Sequence, residues 1–153
     1  MTTHVSHTGP SVLARRGGYA VAMAVNITLL VMVNEAPGWE AAPFLTERTT
    51  EVLWLVNASL VAGVVANGVY LAVDRPWVRA LGDALTTAVG LASLVLIWQV
   101  FPFAFDTTTV PWDLIARWVI GIGIVGSVVG IIAALVRFVR AVVGESTTHE
   151  SAR

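Results

Sequence analysis

Residues 114–139 read LIARWVIGIGIVGSVVGIIAALVRFV, and no charge interrupts them between Arg117 and Arg137. A helix rises about 1.5 Å per residue, so about 20 apolar residues cover the roughly 30 Å hydrocarbon core of a bilayer. This stretch is long enough and apolar enough to cross. Three others like it precede it, at about residues 17–35, 52–73 and 80–101. Within lipid each backbone N–H and C=O must be satisfied inside the protein, and runs of this length do so as helices. The predicted fold is therefore all-α: a polytopic membrane protein built as an antiparallel bundle of four transmembrane helices.

Composition agrees and excludes several chemistries. The 153-residue chain is 56% hydrophobic and 12% charged, with a net charge of −1. That balance offers no basic surface for nucleic acid, so none is expected as a partner. There is no cysteine, which removes disulfides, thiolate metal sites and thiol chemistry. There is no lysine either; all nine basic residues are arginine, a habit of high-GC genomes. His4, His7 and His149 lie outside the spans, leaving no intramembrane histidine pair for haem. No HExxH, GxSxG or phosphate-binding loop is present. A G-x-G-x-x-G string does occur at Gly121, Gly123 and Gly126, but no strand precedes it and it lies inside an apolar span. The dinucleotide reading needs a strand before the glycines and fails. Neither a cofactor, a metal nor an enzymatic activity is expected.

Residues 1–14 and 144–153 are polar and read as disordered cytoplasmic tails around a membrane domain at 15–143. Arg15-Arg16 before an apolar run has the look of an export leader. However, Gly17-Gly18-Tyr19 follows the pair, and Asn34 spoils a small-residue cleavage site. The first run is read as a retained helix. Arg15, Arg16, Arg75, Arg79, Arg137 and Arg140 fall on one side of the spans, Arg48 and Arg117 on the other. Basic residues stay on the cytoplasmic side, so an even number of spans places both termini in the cytoplasm and the protein in the plasma membrane. The loops on the far side carry Trp39, Phe44, Phe103, Phe105 and Trp112, an aromatic belt at the headgroup level. Thr46 is the expected cap of the second helix; Pro111 and Asp113 suit the first turn of the fourth.

Polar and small residues within the spans mark the faces that turn inward. Asn26 marks the first helix. Ser59, Gly63, Ala66, Asn67 and Tyr70 share a face of the second, and Asp83, Thr86, Gly90 and Ser93 a face of the third. In the fourth, Gly123, Ser127, Gly130 and Ala134 form a small-residue ladder widened by Gly126. Small residues let helices approach closely, and the neutral amides and hydroxyls are interhelix glue. Depth sorts the remaining candidates. Asn67 and Asp83 lie in the cytoplasmic third; Asn57, Gln99 and Arg117 lie in the outer third. Arg117 stands where arginine is disfavoured; its expected partner is Asp113, four residues earlier on the same face, or an outer-loop glutamate, and the alternative is that it binds an anionic lipid or substrate group. Asp83 is expected to pair with Arg79.

The strings VNEAPGWEAAPFLTE (33–47), LVNASLVAGVVANGVYLAVDRPW (55–77) and WQVFPFAFD (98–106) resemble a recurring pattern in small four-helix membrane proteins of high-GC bacteria. The resemblance covers roughly residues 19–140 and implies fold and location. No activity is assigned to that group, so it transfers no catalytic or binding residue. The expected role is a non-catalytic accessory, assembly or scaffolding component. Its partners are the lipid bilayer and another membrane protein or a second copy of itself, and the docking strip is the small-residue side of the fourth helix. The alternative is a small oligomeric transporter or channel, which predicts a water path reaching Asn26 and Ser127.

Overall fold

The structure, a computed structural model, describes residues 12–105 and 109–150, with side-chain surroundings as far as Gly144. It contains α1 (Val12–Asn34), a 3₁₀ turn (Trp39–Ala41), α2 (Thr49–Ala72), α3 (Pro76–Val100) and α4 (Trp112–Glu150). All four α-helices are long and apolar enough to cross a bilayer.

The helices outrun their apolar cores. α1 starts at Val12, inside the segment read as a tail, because Leu13, Ala14 and Arg15 are strong helix formers. α3 starts at Pro76 instead of residue 80: proline has no N–H to lose at the first helical position and its φ is already helical. α4 runs through residues 144–150, also read as a tail; no proline follows Pro111 to stop it. The expected cap at Thr46 is absent. α2 is entered through a turn in which Thr49 N–H reaches the Thr46 carbonyl at 2.9 Å. The Thr46 hydroxyl and N–H instead donate to Pro102 O, at 3.2 and 3.0 Å.

That bond belongs to a seam between the two long loops. Leu45 and Phe103 form an isolated antiparallel bridge, and Ala104 N–H donates to Phe44 O at 2.9 Å. Phe44, Phe105 and Phe103 stack in sequence with centroids 5.8 Å apart, and Phe101 meets Phe103 edge-on at 5.4 Å. The aromatic residues of the two loops therefore hold each other as well as offering rings to the surroundings.

The helices pack in chain order: α1 on α2, α2 on α3, α3 on α4. Among the described residues no comparable packing joins α1 to α4, so the four helices form an open row, and α1 has no fully buried residue. At the α1–α2 contact the Asn26 amide lies against Gly63, where a Cβ would stand 2.9 Å from its atoms. Between α2 and α3 the buried Ser93 hydroxyl donates to Leu55 O at 2.9 Å. On α4 the packed face is Ile120, Gly123, Ser127, Gly130 and Ala134, at alternating three- and four-residue steps. Gly123 lies against Leu94 and Gly130 against Thr87.

The ladder of small residues is thus used on α3 and is not a free docking strip. Gly126 does not belong to it. One residue is about 100° around a helix, so Gly126 turns away from the stripe that Ser127 centres, and nothing lies within 4 Å of a Cβ placed there. Gly90 is equally open on that measure and brings no helix closer.

Candidate functional site

Polar side chains gather where α1 begins, α2 ends and α3 begins. Asp74, in the short link between α2 and α3, accepts from Arg15 Nη2 at 2.8 Å and Nε at 3.2 Å, and from the Tyr19 hydroxyl at 3.4 Å. Arg79, one turn into α3, has its Nε 3.7 Å from Asp74 and donates from Nη1 to the Tyr19 oxygen at 2.9 Å. Tyr19 and Tyr70 meet edge-on at 5.4 Å. The Tyr70 hydroxyl lies 3.1 Å from both Arg79 O and Asp83 Oδ1, two acceptors for its one proton. Asp83 Oδ2 is 3.5 Å from Arg137 Nη2 on α4. All four helices contribute, although they pack only in sequence.

The two aspartates are placed differently. Asp74 takes several donors, and the Arg15 bond in particular holds its carboxyl below the usual range, with the charges of Arg15 and Arg79 adding to this and burial opposing it. A carboxylate whose pKa falls on folding stabilises the fold above its ordinary pKa, about 4, and loses that contribution as pH drops through the folded value. Asp74→Asn should therefore lower the thermal midpoint at about pH 7, and its gap to the wild type should narrow at about pH 3. A gap of equal size at both pH values would mean that ionised Asp74 does not anchor the N-terminal part of α1.

Asp83 does not pair with Arg79 as expected. Arg79 is turned to Asp74 and Tyr19, which leaves Asp83 to Tyr70 and to α4. A cleft of about 400 Å³ opens between α3 and α4 here, lined by Tyr19, Tyr70, Arg79, Asp83, Arg137 and Arg140. Arg15, Tyr19, Asp74 and Arg140 were not singled out from the sequence as site residues. The available signal was Asp74 itself, an acid set directly beside Arg75 and close to Arg79.

The other sequence candidates disperse. Asn57 exchanges amide hydrogen bonds with Asn34 at 2.9 and 2.7 Å, tying α2 to the end of α1. Asn26 and Asn67 donate to carbonyls of their own helices, Ala22 O and Gly63 O, both at 2.8 Å. Ser127 does the same toward Gly123 O at 2.7 Å. Gln99 is exposed on α3.

Arg117 makes no ion pair with Asp113. Its guanidinium lies 4.1 Å from the centroid of Phe101 and 5.7 Å from that of Trp98. A weakly hydrated, planar cation sits well on ring faces, which solvate its charge without requiring a carboxylate. Phe101 is held there in a left-handed conformation, φ 45°, unusual for a bulky residue, as the cap that ends α3.

Besides a loop recess of about 800 Å³ at Pro43, Phe44, Ala104, Phe105 and Trp112, two apolar recesses lie toward the loop-capped end. One, of about 420 Å³, is roofed by the joined loops and lined by Leu29, Met32, Trp39, Val52, Val56 and Phe103. Thr49 also lines it, its hydroxyl buried and without a hydrogen-bond partner among the described residues. The other is an open groove of about 710 Å³ running from Arg117 past Trp118 and Ile122 to Gly126. The polar cluster alone combines charge, hydroxyl donors and an open cleft.

Compared with models of protein families, with curated proteins and with solved structures, the chain matches none.

Proposed function

We propose that this protein is a non-catalytic accessory, assembly or scaffolding component of the plasma membrane, its four helices antiparallel and both termini cytoplasmic. The open row of helices carries the reading. α1 packs on α2 alone among the long helices and has no fully buried residue. On α4, Trp118, Ile122, Val125, Val129 and Ile132 are all more than half exposed, at alternating four- and three-residue steps. That is the spacing of a seam into which another helix fits. The docking strip is therefore bulky, with Gly126 as a notch in it, and differs from the small-residue strip read from the sequence.

Contacts between Arg15 and Asp74 at one end, and between Asn34 and Asn57 toward the other, support the up-and-down path. Six arginines near the α2–α3 link support cytoplasmic termini through the positive-inside rule. The resemblance to small four-helix membrane proteins of high-GC bacteria fits the same location. The transporter alternative draws less support, since Asn26, Asn67 and Ser127 satisfy themselves on backbone carbonyls.

A photo-crosslinking residue at Val125 in native membranes tests the role. A discrete protein adduct is expected there, and adducts to lipid alone would remove the scaffold reading. Orientation is tested in the cysteine-free background. Thr46→Cys should react with an impermeant maleimide from outside and Val78→Cys should not; the reverse pattern inverts the topology.

A further inference from the structure

We propose that the cleft between α3 and α4 at the arginine-rich end binds a phosphate group, with Arg137 and Arg140 as its principal donors. Charge, geometry and vacant donors converge on this. Within the cluster, Arg15, Arg79, Arg137 and Arg140 face Asp74 and Asp83, four positive charges against two negative ones. Asp74 is taken up by Arg15 and Arg79, so the excess is concentrated on α4.

Arg137 is only loosely committed. It stands 3.5 Å from Asp83, beyond the roughly 2.7–2.9 Å of a charge-assisted N–H···O bond, and its side chain is 62% exposed. Arg140, one turn on, lines the same cleft and makes no ion pair among the described residues. On the third side, Arg79 lines the cleft and adds its charge, while its Nε is turned to Asp74 3.7 Å away. The Tyr70 hydroxyl holds Asp83 Oδ1 and so draws the one carboxylate of the cleft toward α2. Guanidinium forks match phosphate oxygens in pairs, and two forks at i and i+3 suit one tetrahedral anion.

The source of the phosphate rests on the membrane reading above. Both walls of the cleft are ends of helices long enough to span. Such a position lies at headgroup depth, where basic pockets between helices take anionic lipids. A phospholipid with a net negative headgroup is therefore the ligand expected in the cell, while free inorganic phosphate shares the chemistry.

The full chain, purified in detergent and stripped of lipid, is offered phosphatidylglycerol, phosphatidylcholine or inorganic phosphate. Binding is read by native mass spectrometry and by thermal shift. Phosphatidylglycerol should bind in preference to phosphatidylcholine and raise the midpoint. Arg140→Gln, which breaks no described contact, and Arg137→Gln/Arg140→Gln should weaken it roughly tenfold or more. Arg48→Gln, at the opposite end, should leave it unchanged. A shift with inorganic phosphate that the same variants abolish supports the site and assigns it a soluble ligand. Equal binding of both lipids, or full retention of phosphatidylglycerol by the double variant, overturns the proposal. Release of the chain from membranes by alkaline wash would overturn the membrane reading instead, a result independent of the arginine variants.

Discussion

Gly82→Ala should destabilise the protein by about 1–3 kcal/mol, the cost of overpacking a filled site, where the same change in an exposed helix stabilises by about 1 kcal/mol. The Tyr70 ring occupies the space that a side chain at position 82 would need. A Cβ there collides with the Tyr70 hydroxyl and stands 2.8 Å from Cε1 and Cζ. Tyr70 is held where it stands: it is 5% exposed, and its hydroxyl proton is placed between Arg79 O and Asp83 Oδ1. Moving it breaks those bonds and disturbs the edge contact with Tyr19. Denaturant titration in micelles measures the effect. Gly68→Ala is the control, because nothing lies within 4 Å of a Cβ at that position and the change should be neutral or stabilising. In a Tyr70→Ala background the penalty of Gly82→Ala should largely vanish, since residues in contact do not add. An undiminished penalty would place the strain elsewhere than on Tyr70.

The contrast between Gly82 and Gly68 also shows where sequence reading stops. The number of long apolar helices was legible, because four uninterrupted hydrophobic runs mark them. Ends were less so: a proline at position 76 reads as loop until it is recognised as a first helical residue, and α4 continues only because nothing stops it. Inward faces came out well where periodicity carried them. Asn26 and Gly63, each read from the sequence as marking an inward face, lie against each other.

A one-residue error in phase is about 100° of rotation, enough to put Gly126 outside and Gly123 inside. Pairing of charges was the hardest part. Proximity in sequence favoured Asp83 with Arg79 and Asp113 with Arg117. The helices instead bring Asp83 to Arg137 and set Arg117 on Phe101, through contacts between residues far apart in the chain. Nor did the apolar composition of the two long loops disclose that Leu45 and Phe103 would bridge them.

Gly63→Leu should separate α1 from the rest of the protein while α2, α3 and α4 stay together. α1 docks on α2 with little help from any other long helix and without a fully buried residue, so its attachment depends on how closely it approaches α2. Gly63 provides the central one. The Asn26 amide fills the notch above it, and the hydrogen bond from Asn26 to Ala22 O fixes that amide in place. A leucine has to displace Asn26 or force the helices apart, at about 1–3 kcal/mol for overpacking together with the lost interhelix packing. The polar ties of Arg15 and Tyr19 to Asp74, Arg79 and Tyr70, and of Asn34 to Asn57, lie toward the two ends and cannot restore close approach in the middle.

Cysteines at positions 34 and 57 report the outcome, since the Asn34 and Asn57 amides meet at 2.7 Å and the chain contains no other thiol. A short bis-maleimide across the two thiols should link α1 to α2 efficiently in the parent and several-fold less in Gly63→Leu. Gly63→Ala should show an intermediate loss that Asn26→Ala relieves, because the nearest atoms to the added Cβ are those of that amide. Crosslinking that survives Gly63→Leu unchanged would mean that the end contacts suffice to hold α1. The midpoint notch would then be incidental, and the first helix would be attached by its polar ends.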